Sequence, residues 1–202
     1  MKLFLNDSSP YARLVLVVIH EKHLIGEVEL IWTDPWSSPP ELMAVNPFAK
    51  VPVLVTREGP PLMDSALICE YLIRIASGPA LLADGGAPWL RALRKYAFGR
   101  GLIDAAFGVT IQRRFGGAAG PTALAQRWLA SIKPALEHLD RESALLRRTD
   151  EVDLGDLALG VALGYLDLRL GEVEWRRQAP ALADWFEYVA SRPSLQLTAP
   201  KR

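Results

Sequence analysis

The sequence predicts an α/β domain joined to an all-helical domain. Two observations carry that reading. The first 77 residues alternate short apolar or β-branched runs with capped helical segments, whereas only helical patterns follow them. Between the two parts, Ser77 to Pro88 holds three Gly and two Pro among twelve residues, the composition of an interdomain linker. The expected boundaries are 1–77 for the first domain, 78–86 for the linker and 87–202 for the helical domain.

Lys2 to Leu5 reads as a strand, ended by Asn6, Asp7, Ser8 and Ser9. Leu14 to Ile19 is apolar throughout, a pattern that fits a buried strand as well as a helix. Ser9 followed by Pro10 is an N-cap with proline at the first helical position, and decides for a helix reaching Lys22. Val28 to Ile31 is a second strand. The turn-rich stretch Thr33 to Pro40 leads to a short helix near Glu41 to Val45, and Val51 to Val55 is a third strand. Glu58, Gly59 and Pro60 turn the chain into a fourth strand at Pro61 to Met63, and Asp64 and Ser65 cap a helix to about Ala76.

Beyond the linker, Trp89 to Phe115 reads as one long helix. Gly99, Gly101 and Gly108 each cost about 1 kcal/mol relative to Ala there, and mark close packing or a kink. Gly116 to Pro121 is a loop, and Thr122 to Glu142 a helix with Pro134 as its kink. Asp153 caps a helix to about Arg169, with Asp156 three residues on and Val152 set to pack on Leu157. A last helix spans Ala181 to Ser191.

The chain has 202 residues, with 23 Lys plus Arg against 23 Asp plus Glu, 50% hydrophobic residues and one cysteine. Zero net charge removes the electrostatic reason to expect nucleic acid or an anionic membrane as partner. One cysteine cannot form an internal disulfide. The apolar start stops at Asn6, so no secretory signal peptide is expected, and no stretch approaches the roughly 18 to 20 apolar residues of a membrane span. A cytoplasmic protein is the expectation.

Three features bear on chemistry. Pro52 enters a strand where it removes a ladder donor. Either it is an edge-strand proline, or a cis Val51–Pro52 bond turns the chain and leaves the Val51 backbone facing outward to pair with an extended ligand. Asp64 and Ser65 begin a helix whose N–H groups and dipole favour a carboxylate, while the Asp side chain can hold an ammonium; both residue types are also common caps. Ser8 and Ser9 stand at the mouth of the first helix, where a hydroxyl donor and the helix dipole can stabilise a ligand thiolate, though capping explains them too. No G-x-S-x-G elbow marks either serine as a hydrolase nucleophile.

Together, Ser9-Pro10-Tyr11-Ala12-Arg13, Asn46-Pro47-x-x-Lys50-Val51-Pro52-Val53-Leu54 and Asp64-Ser65-x-x-Ile68-x-x-Tyr71-Leu72 resemble the glutathione-binding domain of the soluble glutathione transferases, including their bacterial serine-type members. The resemblance extends through the linker and the helical half. It implies a thioredoxin-like first domain, a helical second domain, glutathione as co-substrate, a small electrophile as second substrate and a homodimer. It places Ser9 on the glutathione sulfur, with Ser8 as the one-position alternative. By the same resemblance Val51 pairs by backbone with the cysteinyl part ahead of a cis Pro52, Asp64 and Ser65 hold the γ-glutamyl end, and Lys50 reaches a carboxylate. Arg13 matches a frequent family position with a structural role.

The implied activity is conjugation of glutathione to an electrophile in detoxification. The alternatives are a glutathione-binding adaptor without turnover, or a glutathione-dependent peroxidase, dehalogenase or isomerase. No cysteine stands at the Ser9 position to support glutaredoxin-like exchange, and Cys69 reads as a buried structural thiol. His20 and His23 have metal-compatible spacing but no further ligand to complete a set, so no metal is expected. Arg113 and Arg114, with Gln112 and Phe115, end the helix that borders the second-substrate pocket in such proteins, and solvated helix-end arginines account for them equally. The six tryptophans read as packing residues, with Trp36 alone in a loop near the glutathione region.

Overall fold

The computed structural model describes residues 1–116, 120, 122–142, 145–149 and 151–200. Of the loop expected over 116–121, residues 117–119 and 121 lie outside them, as do 201–202 at the end of the expected helical domain. The chain divides into two compact units, Met1–Leu82 together with the segment from Gln196, and Ala83–Leu195. No helix among the described residues is long and apolar enough to cross a membrane.

The first unit is a three-stranded sheet with helices. Strand β1 (Lys2–Leu5) is central, followed by α1 (Pro10–Glu21), β2 (Glu29–Trp32), α2 (Pro40–Val45), β3 (Val53–Val55) and α3 (Ser65–Ile75). The order is β2-β1-β3, with β2 parallel and β3 antiparallel to β1. Leu3, Phe4 and Leu5 are all buried, as a strand covered on both faces requires. Phe4 and Val53 pack with Leu42 of α2 on one face. Leu3, Leu5 and Leu54 alternate to the other face, and α3 packs on α1 and β3.

Two strand expectations need correction. The third strand begins at Val53 and not at Val51, because Pro52 has no N–H for the ladder. The fourth strand shrinks to one bridge, in which Leu62 and Leu54 exchange both backbone hydrogen bonds at 2.8 and 3.0 Å. Pro61 on one side cannot donate, and Asp64 on the other already opens α3. The second strand lies one residue later than expected.

The second unit holds α4 (Gly86–Phe115), α5 (Ala123–Arg141), α6 (Leu154–Arg169), α7 (Trp175–Gln178) and α8 (Pro180–Ala190), and α9 (Pro193–Leu197) spans the boundary at Gln196. Residues 154–163 of α6 are buried without interruption, so this helix is apolar all round and forms the centre. Helix α4 packs mainly on α6, and α5 on α4. Two of the three glycines expected inside α4, Gly99 and Gly108, mark close packing. A Cβ on Gly99 would stand 2.7 Å from the Ala158 backbone, and one on Gly108 would stand 2.6 Å from the Trp128 ring. Nothing lies within 4 Å of that position on Gly101. Helix α5 continues through Pro134. The four-residue α7 and five-residue α9 were not expected, being too short to show a helical period.

The capping box at α6 is present. Asp153 accepts from the Asp156 N–H at 2.9 Å, and Asp156 accepts from the Asp153 N–H at 3.1 Å. Val152 and Leu157 are both buried, as a hydrophobic staple requires. The box also holds the buried Lys95, whose Nζ lies 2.5 Å from Asp156 and 2.7 Å from Asp153. Two carboxylates share one ammonium there. Burial, opposed by Lys95 and aided by Asp153, pushes the Asp156 carboxyl up to about 6.

The glycines separate on substitution. Gly99→Ala should cost about 3 kcal/mol by overpacking α4 on α6, whereas Gly101→Ala should stabilise by about 0.5 to 1 kcal/mol; urea unfolding of each measures both. Because Asp156 has its pKa raised by folding, it contributes stability below about pH 4 that is lost as pH rises through about 6. In urea titrations across that range, wild type should lose stability relative to Asp156→Asn.

Candidate functional site

The strand pairing determines which chain segments meet. Parallel pairing of Leu5 with Trp32 puts the exits of β1 and β2 at one end of the sheet. Antiparallel pairing of Phe4 with Val53 puts the entrance of β3 at the same end. The Leu54–Leu62 bridge brings the chain back alongside β3, so Met63 and Asp64 run toward that end as well. Ser8 and Ser9, Lys50 to Pro52, and Asp64 with Ser65 are thereby gathered at one edge. The loop after β2 arrives there too, carrying the half-exposed Trp36 in a short 3-10 turn.

Ser9 is the N-cap of α1. Its Oγ accepts a hydrogen bond from the Ala12 N–H at 3.2 Å, which uses an oxygen lone pair and leaves the hydroxyl proton to be donated elsewhere. The Ser8 hydroxyl donates to Asn6 Oδ1 at 3.4 Å. The two serines are adjacent but differ in what their protons do.

The Val51–Pro52 bond is cis, as is Met63–Asp64. Val51 packs its side chain against Phe4, Leu42 and Val53. Its backbone N–H and C=O have no hydrogen-bond partner among the described residues. Lys50 is exposed. Asp64, also exposed, caps α3 by accepting from the Ala66 N–H at 3.0 Å, and Ser65 is buried in the first turn. The first-turn N–H groups of α3 make this a favourable place for a carboxylate.

Asn46 is the site-forming residue for which the sequence suggested no role. It is 2% exposed. Its Oδ1 accepts from the Phe48 N–H at 3.1 Å and its Nδ2 donates to the Lys50 carbonyl at 2.8 Å. An Asn before a proline is a recognised turn signal, but burial of its amide shows only in three dimensions.

Other candidates separate from this edge in chemistry or place. Burial pushes the Cys69 thiol up, well out of reach of neutral pH, and the charge of Asp64 adds to the effect. Burial lowers the Arg13 guanidinium to about 10, which leaves it cationic at neutral pH. No group of three or more His, Cys, Asp or Glu suited to a metal occurs among the described residues. In the second unit, Arg113 pairs with Glu172 at 2.6 Å. It borders a cavity of about 350 Å³ between α4 and α5, floored by Val109 and Leu129.

Comparison with known proteins bears on the same residues. The sequence model of the glutathione S-transferase N-terminal domain matches residues 8–75, and that of the C-terminal domain matches 122–187. The GST-like protein YibF of Escherichia coli K12, itself uncharacterized, is 31% identical over 210 residues and all of both chains. A glutathione transferase family member from Pseudomonas fluorescens Pf-5 with bound glutathione is 31% identical, with a TM-score of 0.92 over 100% of this chain and 99% of that one. Another structure of a Pf-5 family member holds S-(propanoic acid)-glutathione, with 31% identity and a TM-score of 0.88 over all of both chains. A glutathione S-transferase from Methylobacterium radiotolerans, in complex with glutathione sulfonate, is 31% identical with a TM-score of 0.87 over 100% and 95% of the chains. The thioredoxin-like first domain and helical second domain are those of these proteins.

The thiol at Cys69 should be inert. In the native protein at about pH 8 it should fail to react with an aromatic disulfide reagent over hours, then react at once in denaturant. Rapid native labelling would show that its burial is not maintained.

Proposed function

Because the chain belongs to the glutathione S-transferase family, we propose that it is a glutathione transferase that activates the glutathione thiol with Ser9. Asp64 holds the ammonium of the γ-glutamyl group. Ser65 and the α3 N-terminus hold its carboxylate, where the helix dipole favours negative charge. Val51 exchanges backbone hydrogen bonds with the cysteinyl part, and Lys50 faces a carboxylate. Ser9 donates its proton in a hydrogen bond to the sulfur, which favours the thiolate over the thiol.

The observation that carries this reading is the division of labour at Ser9. Its oxygen is used by the cap and its proton remains, whereas the Ser8 proton is directed to Asn6. Capping and catalysis therefore do not compete for the same atom. Each unit by which the thiol pKa falls corresponds to about 1.4 kcal/mol and raises the thiolate fraction at neutral pH. The thiolate then attacks the electrophile: a carbon–sulfur bond forms, and either a leaving group departs with its electron pair or, at a polarised double bond, the adjacent carbon takes a proton. The S-(propanoic acid)-glutathione held by the Pseudomonas relative supports a small carboxylate-bearing electrophile as the first to try. A homodimer in the cytoplasm belongs to the same reading. The exposed Phe48 and Leu90 supply apolar surface for such an assembly.

An ultraviolet titration of the bound thiolate from about pH 5 to about pH 9 tests the assignment. Wild type should show the thiolate band well below the free thiol's pKa of roughly 8.5. Ser9→Ala should bind glutathione within about threefold of wild type, yet lose the band. Asp64→Ala should weaken binding by about tenfold or more, as loss of a charge-assisted contact does. A silent Ser9→Ala beside an inactive Ser8→Ala would move the role to Ser8. Binding without any thiolate shift would instead favour an adaptor.

A further inference from the structure

We infer that Asn46 is a positioning residue for glutathione: its buried amide aims the Val51 N–H at the ligand. The inference rests on the glutathione reading above and extends it to a residue with no exposed face of its own.

A peptide unit is planar, and in the trans form its C=O and N–H point in opposite directions. The Lys50 carbonyl and the Val51 N–H belong to one such unit. The carbonyl is drawn inward by Asn46 Nδ2 at 2.8 Å, so the Val51 N–H is turned outward, which accounts for its lack of a partner among the described residues. Without Asn46 the carbonyl has no inward bond to hold it.

The rest of the loop needs the same anchor. The Asn46 N–H donates to the Leu42 carbonyl at 2.8 Å, ending α2, and its carbonyl accepts from the Ala49 N–H at 2.9 Å. Its Oδ1 takes the Phe48 N–H. One buried residue thus ties positions 42, 48, 49 and 50 together. Ala49 has φ 49, a left-handed conformation that is unfavourable for a non-glycine residue and persists where neighbours impose it. Asn46→Ala keeps the two main-chain bonds but removes those to the Phe48 N–H and the Lys50 carbonyl, which leaves the Lys50–Val51 peptide plane free to rotate. Val51 stays anchored by its packed side chain, so the main change is in the direction of its N–H.

Calorimetric titration of wild type, Asn46→Ala and Asn46→Asp with glutathione tests this. Asn46→Ala should weaken binding by about tenfold, the scale of one buried hydrogen bond, without altering the pKa of the bound thiol. Asn46→Asp keeps the acceptor for Phe48 but, when ionised, has no donor for Lys50. It should bind as weakly as Asn46→Ala at about pH 8 and recover toward wild type as the pH falls through the pKa of the buried carboxyl, which burial raises above the ordinary value of about 3.9, because the protonated carboxyl donates again. Wild type should show no such recovery, and a merely structural defect would not reverse with pH.

Affinity within twofold of wild type in Asn46→Ala, or a pH-independent loss in Asn46→Asp, overturns the inference. Amide exchange in wild type decides it even if both variants misfold. The Val51 N–H should exchange freely without ligand and be protected by glutathione; protection without ligand overturns the inference. If wild type binds no glutathione, that reading falls by itself. The outward N–H is then judged from its exchange in the free protein, with fast exchange upholding its orientation and protection overturning it.

Discussion

Central placement of β1 governs everything in the first unit. A strand of four residues, Lys2–Leu5, takes a parallel neighbour on one side and an antiparallel one on the other. Opposite strand directions on its two sides bring two strand exits and one strand entrance to the same edge. Segments far apart in sequence, near residues 9, 51 and 64, are neighbours for that reason alone. The apolar character of Leu3, Phe4 and Leu5 on both faces makes the central position the favourable one, since an edge position would leave one of them wet.

The gathered groups are mostly main-chain groups and helix caps. Such groups are cheap to place with accuracy, because the fold fixes them without freezing long side chains. Ser9 and Asp64 are both N-caps. A cap consumes one acceptor lone pair, which leaves a hydroxyl proton on one residue and a formal charge on the other. The local rule that starts each helix therefore puts a chemically useful atom at its mouth.

Much of this was legible from sequence where local chemistry decides the outcome. Ser9-Pro10 fixed the start of α1 to the residue, and Asp64 and Asp153 did the same for α3 and α6. The three motifs whose segments meet at one sheet edge stood out in the sequence by their spacing and their resemblance to a known family. What sequence hid depends on partners brought together from afar. Leu62 had the composition of a strand, but only Leu54 and the prolines around it limit the pairing to one bridge. Gly99 and Gly101 looked alike until α6 was seen to press on one and not on the other. The hydrogen bonds of the Asn46 amide and the pairing of Lys95 with two carboxylates likewise appear only with burial in view.

The turn between Leu54 and Leu62 has a practical side. Its tip at 57–60 is exposed, and it lies at the far end of β3 from the segments that gather at residues 9, 51 and 64. Arg57 is fastened to Glu27 and Glu58 to Tyr71, so the tip is tethered to its own unit. A fluorophore or an inserted affinity peptide there would ride on a fixed mount while leaving the opposite edge clear. The hairpin is thus a natural handle for immobilising the protein with its opposite sheet edge turned toward solution.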